Sequence, residues 1–229
     1  MLQPLQEQLR TGSVKQQLQA IEELAAAGEA GLEVLGDYLL ERRESSPSVS
    51  DGRMVQVIYA AGHDRLIQEI DRCWPRGRVP MPSAPGIDYQ ALQQCLVVQA
   101  FEEADRLTLQ KLCELAGPLA VQRNWLYFTE VEGFPVEDLR TLDRLWRLYS
   151  LGKFGFSRQR QIWLGVGRNW DILWERIAWK REGHWTRYPS EFIWDLTAPA
   201  GHLPLSNQLR GVRAIASLLN HPAWSQETP

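Results

Sequence analysis

Apolar residues recur along this chain at three- and four-residue intervals, and runs alternating at every second position are nearly absent. Ser13 followed by Gln16 has the form of a capping box, and Val14, Leu18, Ile21 and Leu24 follow at helical spacing. Gly28 interrupts that pattern, and Leu32, Leu35, Tyr38 and Leu39 begin a second amphipathic stretch. Residues 44–52 have loop composition, with Asp51 placed to cap a third helix through Met54, Val57, Ile58 and Ala61. Short amphipathic helices joined by short turns predict an N-terminal helical bundle over residues 1–74, HEAT-like but without a strict repeat.

Pro75, Pro80, Pro82 and Pro85, with Gly77 and Gly86 between them, cannot run as helix or central strand, so residues 75–87 read as an extended Pro-rich linker. A second domain follows over residues 88–229, with Asp88 as its first candidate cap. Leu92, Leu96, Phe101 and the apolar positions from 107 to 115 predict two helices ended by Gly117-Pro118. Pro135 suits the first position of another, with Leu139, Leu142, Trp146 and Tyr149 on one face and Gly152 placed to stop it. Ser157 and Asn169 read as caps of two shorter helices carrying Trp163, Trp170, Trp174 and Trp179. Residues 183–206, with three prolines and Gly201, read as mostly irregular. Ser206 then caps a last helix over 207–219, with Val212, Ile215, Ala216 and Leu219 facing inward. The class is all-α.

Composition narrows the picture. At 229 residues, with 44% hydrophobic and 23% charged positions, the chain is long and apolar enough to bury a core. No apolar run approaches the roughly 18 residues a membrane-spanning helix needs. The N-terminus lacks the apolar segment of a secretory signal, and Glu7, Glu22 and Glu23 argue against a transit peptide. Three cysteines without CxxC spacing point to a reducing, cytoplasm-like compartment. Residues 1–119 carry 11 basic and 17 acidic side chains, a net of −6, whereas residues 120–229 carry 14 and 11, a net of +3. An anionic partner is therefore expected to meet the second half.

Signals for catalysis fail one by one. The four histidines never fall at helical metal-site spacing, and Gly165–Gly167 lacks the third glycine of a dinucleotide loop. Gly152-Lys153 lacks the glycine and hydroxyl of a phosphate-binding loop, and Ser157 has no GxSxG context. The chain reads as a non-enzyme. Its unusual feature is tryptophan: ten in all, nine of them between Trp125 and Trp224. Most suit a core role, since buried aromatics dominate packing, and Trp146, Trp163, Trp170, Trp174, Trp194 and Trp224 are expected there. Trp185 lies instead beside Arg187 and Tyr188 in the irregular stretch, and Asn207, Arg210 and Arg213 recur every third residue on the last helix. Free backbone N–H groups at that helix start favour an anion, and arginine holds carboxylates through paired hydrogen bonds. Aromatic plates rimmed by arginines suit a planar apolar molecule bearing carboxylates. Single-stranded nucleic acid would use the same groups, and the N-terminal helices alone could serve as an interaction scaffold.

Three longer strings decide among these. DLRTLDRLWRLYSLGKFGFSRQ from Asp138, RYPSEFIWDLTAPAGHLPLSNQLRG from Arg187 and HPAW from His221 resemble the genomes-uncoupled-four family of tetrapyrrole-binding proteins, over about residues 88–229. The helices before the linker resemble the N-terminal extension of its cyanobacterial members. The resemblance implies an all-helical core domain shaped like a cupped hand that binds protoporphyrin IX and magnesium protoporphyrin IX. It implies a non-catalytic protein that stimulates magnesium chelatase in chlorophyll biosynthesis, with the large porphyrin-binding subunit of that enzyme as partner. It further implies a cytoplasmic protein in part associated peripherally with the thylakoid. By matching position, Phe128 and Val131 would form the apolar palm, Trp185, Arg187 and Tyr188 would lie on a loop closing over the ligand, and Asn207, Arg210 and Arg213 would meet the propionates. Tyr188 stands where some members are expected to carry tryptophan. The GKFGFS string is expected to be a structural turn. No histidine is placed as an obligatory axial ligand, so no cofactor or central metal is expected to be required.

Overall fold

The computed structural model describes residues 2–205 and 212–225, in which thirteen α-helices and one two-stranded hairpin are present. The first five are α1 (Gln3–Thr11), α2 (Val14–Ala26), α3 (Glu29–Glu41), α4 (Val49–Ala60) and α5 (Asp64–Cys73), each packing on its neighbours. The Ser13–Gln16 capping box forms as expected at the head of α2. At α4 the expectation needs correcting: the cap is Ser48, and Asp51 sits three residues in, its carboxylate accepting from the Ser48 N–H. Both residues are competent caps three apart, and the reciprocal box uses both. Leu24, Leu35, Leu39, Ile58 and Leu66 are fully buried, filling the stack with one continuous apolar seam.

The second module comprises α6 (Gln90–Val97), α7 (Phe101–Ala116), α8 (Pro118–Arg123), α9 (Phe128–Glu132), α10 (Val136–Tyr149), α11 (Phe156–Gly165), α12 (Trp170–Arg176), β1 (Lys180–Arg181), β2 (His184–Trp185) and α13 (Val212–Asn220), closed by a 3₁₀ turn at Pro222–Trp224. The helix α10 is its axis: Leu139, Leu142, Leu145, Trp146 and Tyr149 are all fully buried. Around Trp146, Phe101 stacks at 6.0 Å between ring centroids and Phe154 meets both rings edge-on, while the indole N–H donates to Thr108 at 2.9 Å.

Several boundaries differ from the sequence reading. Asp88 does not cap α6, whose cap position is Tyr89; its carboxylate accepts from the Gln90 N–H. Pro135 is the cap of α10 rather than its first residue. Ser157 lies inside α11, which Gly155 precedes at φ +123°, because a side chain at Gly155 would run into Asp143. The Ser157 N–H donates instead to Asp143. Asn169 caps α12 as expected, but Trp179 lies beyond that helix, in the turn before β1. The hairpin itself was too short to leave an alternating pattern. On α13, Val212 is 42% exposed and Leu218 is buried, so the inward face is rotated from the expected one; Ser206 lies outside the described residues. The GKFGFS string is a turn only as far as Gly155, its Phe156 and Ser157 opening α11, and Phe154 and Phe156 are buried.

The modules meet where α4 crosses α10 and α6. The backbones come so close that a Cβ on Gly52 would stand 2.6 Å from the Leu148 carbonyl oxygen. Beside that crossing, the buried Gln56 amide donates to the Leu96 carbonyl at 3.0 Å and the Tyr149 carbonyl at 2.8 Å. The Pro-rich segment is irregular but tightly fastened. Gln93, buried on α6, accepts from the Val79 N–H and the Tyr149 hydroxyl and donates to the Arg76 carbonyl. Thr141 donates to the Pro82 carbonyl, and Asp138 accepts from the Ala84 N–H and the Tyr89 hydroxyl. Composition reports only that such a segment cannot be helix; its anchoring depends on side chains far along the chain.

Candidate ligand-binding face

The residues singled out by sequence fall into two groups that line different cavities. The first surrounds α9, which packs along α13. The short approach to α9 is braced by Arg123, whose guanidinium pairs with Glu130 at 2.6 Å and lies over the rings of Trp125 and Tyr127 at 4.8 and 4.5 Å. Glu130 also accepts from the Tyr127 N–H, closing the first turn. Phe128, half-buried, has the Arg213 guanidinium 5.6 Å over its ring, so these two expected site residues are brought together across α9 and α13. Val131 is 2% exposed and lines, with Leu109, Leu112, Phe134 and Leu218, a cleft of about 10 Å³. That volume holds less than a ligand ring, so a flat molecule reaching Val131 requires α9 and α13 to part. Asn207 and Arg210 lie outside the described residues.

The far end of α13 is capped by side chains. The Trp224 indole donates to the Leu218 carbonyl at 2.6 Å and Arg160 donates to the Leu219 carbonyl at 3.0 Å, satisfying carbonyls a helix end leaves open.

The second group lies on the hairpin and the loop after it. Four indoles form a column, Trp163–Trp170–Trp174–Trp179, with successive centroids 4.7, 5.2 and 5.5 Å apart. Trp163, Trp174 and Trp179 are buried and Trp170 is half-buried. Trp185 joins the column from the hairpin, 5.8 Å from Trp174 and tilted by 54°, and stays 44% exposed. It lines a cavity of about 200 Å³ with Arg181, His184, Thr186 and Glu191. Arg187 projects into solvent with its guanidinium 4.0 Å from Glu191. Tyr188, 40% exposed, packs edge-on against Phe192 and Trp194 and faces a third cavity, of about 440 Å³, lined also by Arg106 and Glu102.

Two residues that sequence did not single out hold this loop. His202 is fully buried, with one ring nitrogen bonded to the Ile177 carbonyl at 2.6 Å and the other receiving the Ile193 N–H at 3.1 Å. That pair of partners fixes a neutral tautomer, and desolvation pushes its pKa below the ordinary value. Trp179 donates to the His202 carbonyl at 2.7 Å, tying column to loop. Under Tyr188 lies Asp105, fully buried, whose carboxylate accepts from the Leu205 N–H and whose pKa burial raises to about 7. Neither signal was local: a histidine or aspartate on an otherwise ordinary stretch discloses no partner one hundred residues away. Of the other histidines, His221 is buried with its Nδ1 receiving the Ala223 N–H, and His63 pairs with Glu33 at 3.2 Å. His184 is exposed beside Trp185, with Nδ1 against the Glu182 carbonyl. Among the described residues no helix is long and apolar enough to cross a membrane.

Comparison with known proteins bears on this face. A family model described as GUN4-like matches residues 82–222, and one described as an ARM-like repeat domain, GUN4-N terminal, matches residues 1–75. A Ycf53-like protein of Synechocystis sp. is 50% identical over 226 residues, covering 98% of this chain and 97% of its own length. A chloroplastic tetrapyrrole-binding protein of Arabidopsis thaliana is 36% identical over 146 residues, covering 60% of this chain and 55% of its own. The solved structure of GUN4 from Chlamydomonas reinhardtii superposes with a TM-score of 0.61 at 41% identity, covering 65% of this chain and 95% of that one.

Proposed function

This chain belongs to the GUN4-like family, and from that premise we propose that it is a non-catalytic porphyrin-binding protein that stimulates magnesium chelatase through the large porphyrin-binding subunit of that enzyme. Protoporphyrin IX and magnesium protoporphyrin IX are its ligands, residues 88–229 are its ligand-binding domain, and residues 1–74, joined through 75–87, brace it. It works in the cytoplasm of a cyanobacterium, with peripheral contact to the thylakoid.

The observation that carries the ligand assignment is the contrast at Trp185. In a region whose neighbouring indoles are consumed in a column, this one is left 44% exposed next to an arginine free of close partners other than Glu191. An exposed aromatic plate beside a cation suits a flat apolar ring system with a carboxylate edge. Phe128 beneath Arg213 offers the same pairing at the α9–α13 cleft, and a porphyrin lodged between the two would present its ring to the aromatics and its propionates to Arg213, Arg210 and Asn207. His202 has both ring nitrogens engaged within the protein, which supports a porphyrin ring held by packing and charge, with metal-free porphyrin bound as well. His184 is exposed beside Trp185; if it meets a central magnesium, His184→Ala should weaken the magnesium porphyrin alone.

The decisive experiment is a titration of the full-length protein with protoporphyrin IX, following tryptophan quenching and the Soret band, with an oligothymidylate control. Saturable quenching by porphyrin and none by oligonucleotide is expected. Oligonucleotide binding without porphyrin binding would establish the nucleic-acid reading in its place. Chelatase stimulation is tested separately, by adding the protein to the purified enzyme at limiting magnesium.

A further inference from the structure

A groove of about 840 Å³ runs along the seam between the two modules. One wall is α10, which contributes Arg140, Arg144 and Arg147; the floor is Arg78 from the Pro-rich segment; Arg43 stands on the other rim. Five guanidiniums thus meet two acids, Glu44 and Asp143, and no lysine lines the groove. Glu44 pairs with Arg43 at 3.5 Å, and Asp143 accepts from the Ser157 N–H. Arg144 and Arg147 are exposed on α10, and Arg140 donates through Nε to the Ala223 carbonyl at 3.0 Å. Arg78 is 4% exposed and its nearest carboxylate, Asp51 at 3.4 Å, is shared with Arg42 at 3.1 Å. Its Nε and the Arg140 Nη2 are buried with no hydrogen-bond partner. A buried cation with an open donor, as Arg78 is, is costly in a folded protein, and a chain with a net charge of −3 has gathered four more arginines around it.

We propose that this inter-module groove docks an acidic peptide segment of a protein partner, its carboxylates meeting Arg140, Arg144 and Arg147. These arginines sit at i, i+4 and i+7 on α10, one face of the helix, and span about 10 Å at ~1.5 Å per residue. Three alternate side chains of an extended peptide span about 13 Å, a difference the long arginine and glutamate side chains can take up, so three carboxylates can each meet one guanidinium in a paired bond. A single phosphate would engage one or two of them and leave most of the groove unfilled. The apolar lining from Trp74, Pro80 and Leu148 accepts the aliphatic stems of glutamates. A nucleic-acid base would want the Trp74 ring as a stacking plate, but the Arg78 guanidinium already covers it at 4.8 Å. The charge pattern therefore favours protein over nucleic acid.

The test is fluorescence anisotropy of end-labelled hexaglutamate against the full-length protein, with hexalysine as control. Saturable binding that weakens at least tenfold between 50 and 500 mM salt is expected, with no binding of hexalysine. The double variant Arg144→Glu, Arg147→Glu, whose side chains are exposed and which should keep the parental circular dichroism, should lose at least tenfold in peptide affinity. Its porphyrin titration should be unchanged. The proposal falls if hexaglutamate shows no saturable binding, or if the double variant binds it as well as the parent. It also falls if an oligothymidylate or inorganic pyrophosphate displaces the peptide at lower concentration than unlabelled hexaglutamate does, which would assign the groove to nucleic acid or to a small phosphate.

Discussion

The two long surfaces of this molecule are built on opposite plans. At the seam, α4, α10, α6 and the Pro-rich segment are bound together by buried amides with specified partners, and the backbones approach closely enough to exclude a methyl group at Gly52. At the aromatic face, the fixed part is a column of indoles, and what meets solvent is a two-residue hairpin, a loop with exposed Trp185 and Tyr188, and a cleft closed to about 10 Å³. Shape at the seam is specified by hydrogen bonds whose loss leaves buried polar groups unpaired. Shape at the face is specified by aromatic packing, which tolerates rearrangement more easily. Stability should therefore concentrate at the seam and ligand response at the face.

The comparison is broken most sharply at Gly52. Any larger side chain there meets the Leu148 carbonyl, so Gly52→Val should cost about 3 kcal/mol, the upper end for overpacking, read as a lower urea midpoint. A cost under about 1 kcal/mol would mean that α4 and α10 can separate freely. Gln93→Leu is the next largest. It strands the Val79 N–H and the Tyr149 hydroxyl together with the Arg76 carbonyl, and a loss of roughly 2–3 kcal/mol is expected for buried groups left unpaired. Porphyrin affinity of the folded fraction should be unaffected by either.

Asp105 tests the boundary between the plans, since it lies beneath Tyr188 and anchors Leu205. Burial raises its pKa from 3.8 to about 7, with the Leu205 N–H opposing that rise and Glu102 adding to it. The folded protein thus keeps a proton that the unfolded chain has released, and its contribution to stability declines as pH rises from about 4 to 7. His202 and His221, both lowered by burial, act in the opposite sense: they favour the fold above the ordinary histidine pKa and oppose it in acid. Asp105→Asn isolates the first effect. The stability of the parent relative to this variant should fall by on the order of 2 kcal/mol between pH 5 and 7.5, while the variant alone grows more stable over the same range. Parallel curves would show that Asp105 is ionised throughout.

How much of this could be read from the chain depended on how local each determinant is. The Ser13–Gln16 box, the Asn169 cap and the buried face of α10 were legible because their partners lie within one or two helical turns. The Asp51 reading missed Ser48 because both residues can cap and only the folded turn ranks them. The rotation of α13, which buries Leu218 in place of Val212, is set by α9 and α11 and not by its own sequence. At the face, the exposure of Trp185 among buried tryptophans was legible from its irregular, arginine-flanked context. The engaged state of His202 and the raised pKa of Asp105 were not, because their partners arrive from distant turns. Phe128 and Arg213 meet across 85 residues of sequence, and only resemblance could place them together.

Trp185 offers the smallest and most discriminating break. Its ring touches Trp174 at 5.8 Å but tilts away from the stack and keeps 44% of its surface in solvent. If it is the outer plate of the proposed ligand face, it contributes little to the fold, and Trp185→Ala should change stability by no more than about 0.5 kcal/mol, as surface substitutions do. The same variant should weaken protoporphyrin binding by about tenfold, equivalent to ~1.4 kcal/mol. Trp185→Phe, which keeps an aromatic plate, should recover most of that loss. A variant that instead loses several kcal/mol of stability and binds porphyrin normally would place Trp185 with Trp163, Trp174 and Trp179 in the column. The division between a face that binds and a scaffold that packs would then run through the loop beyond it, at Tyr188.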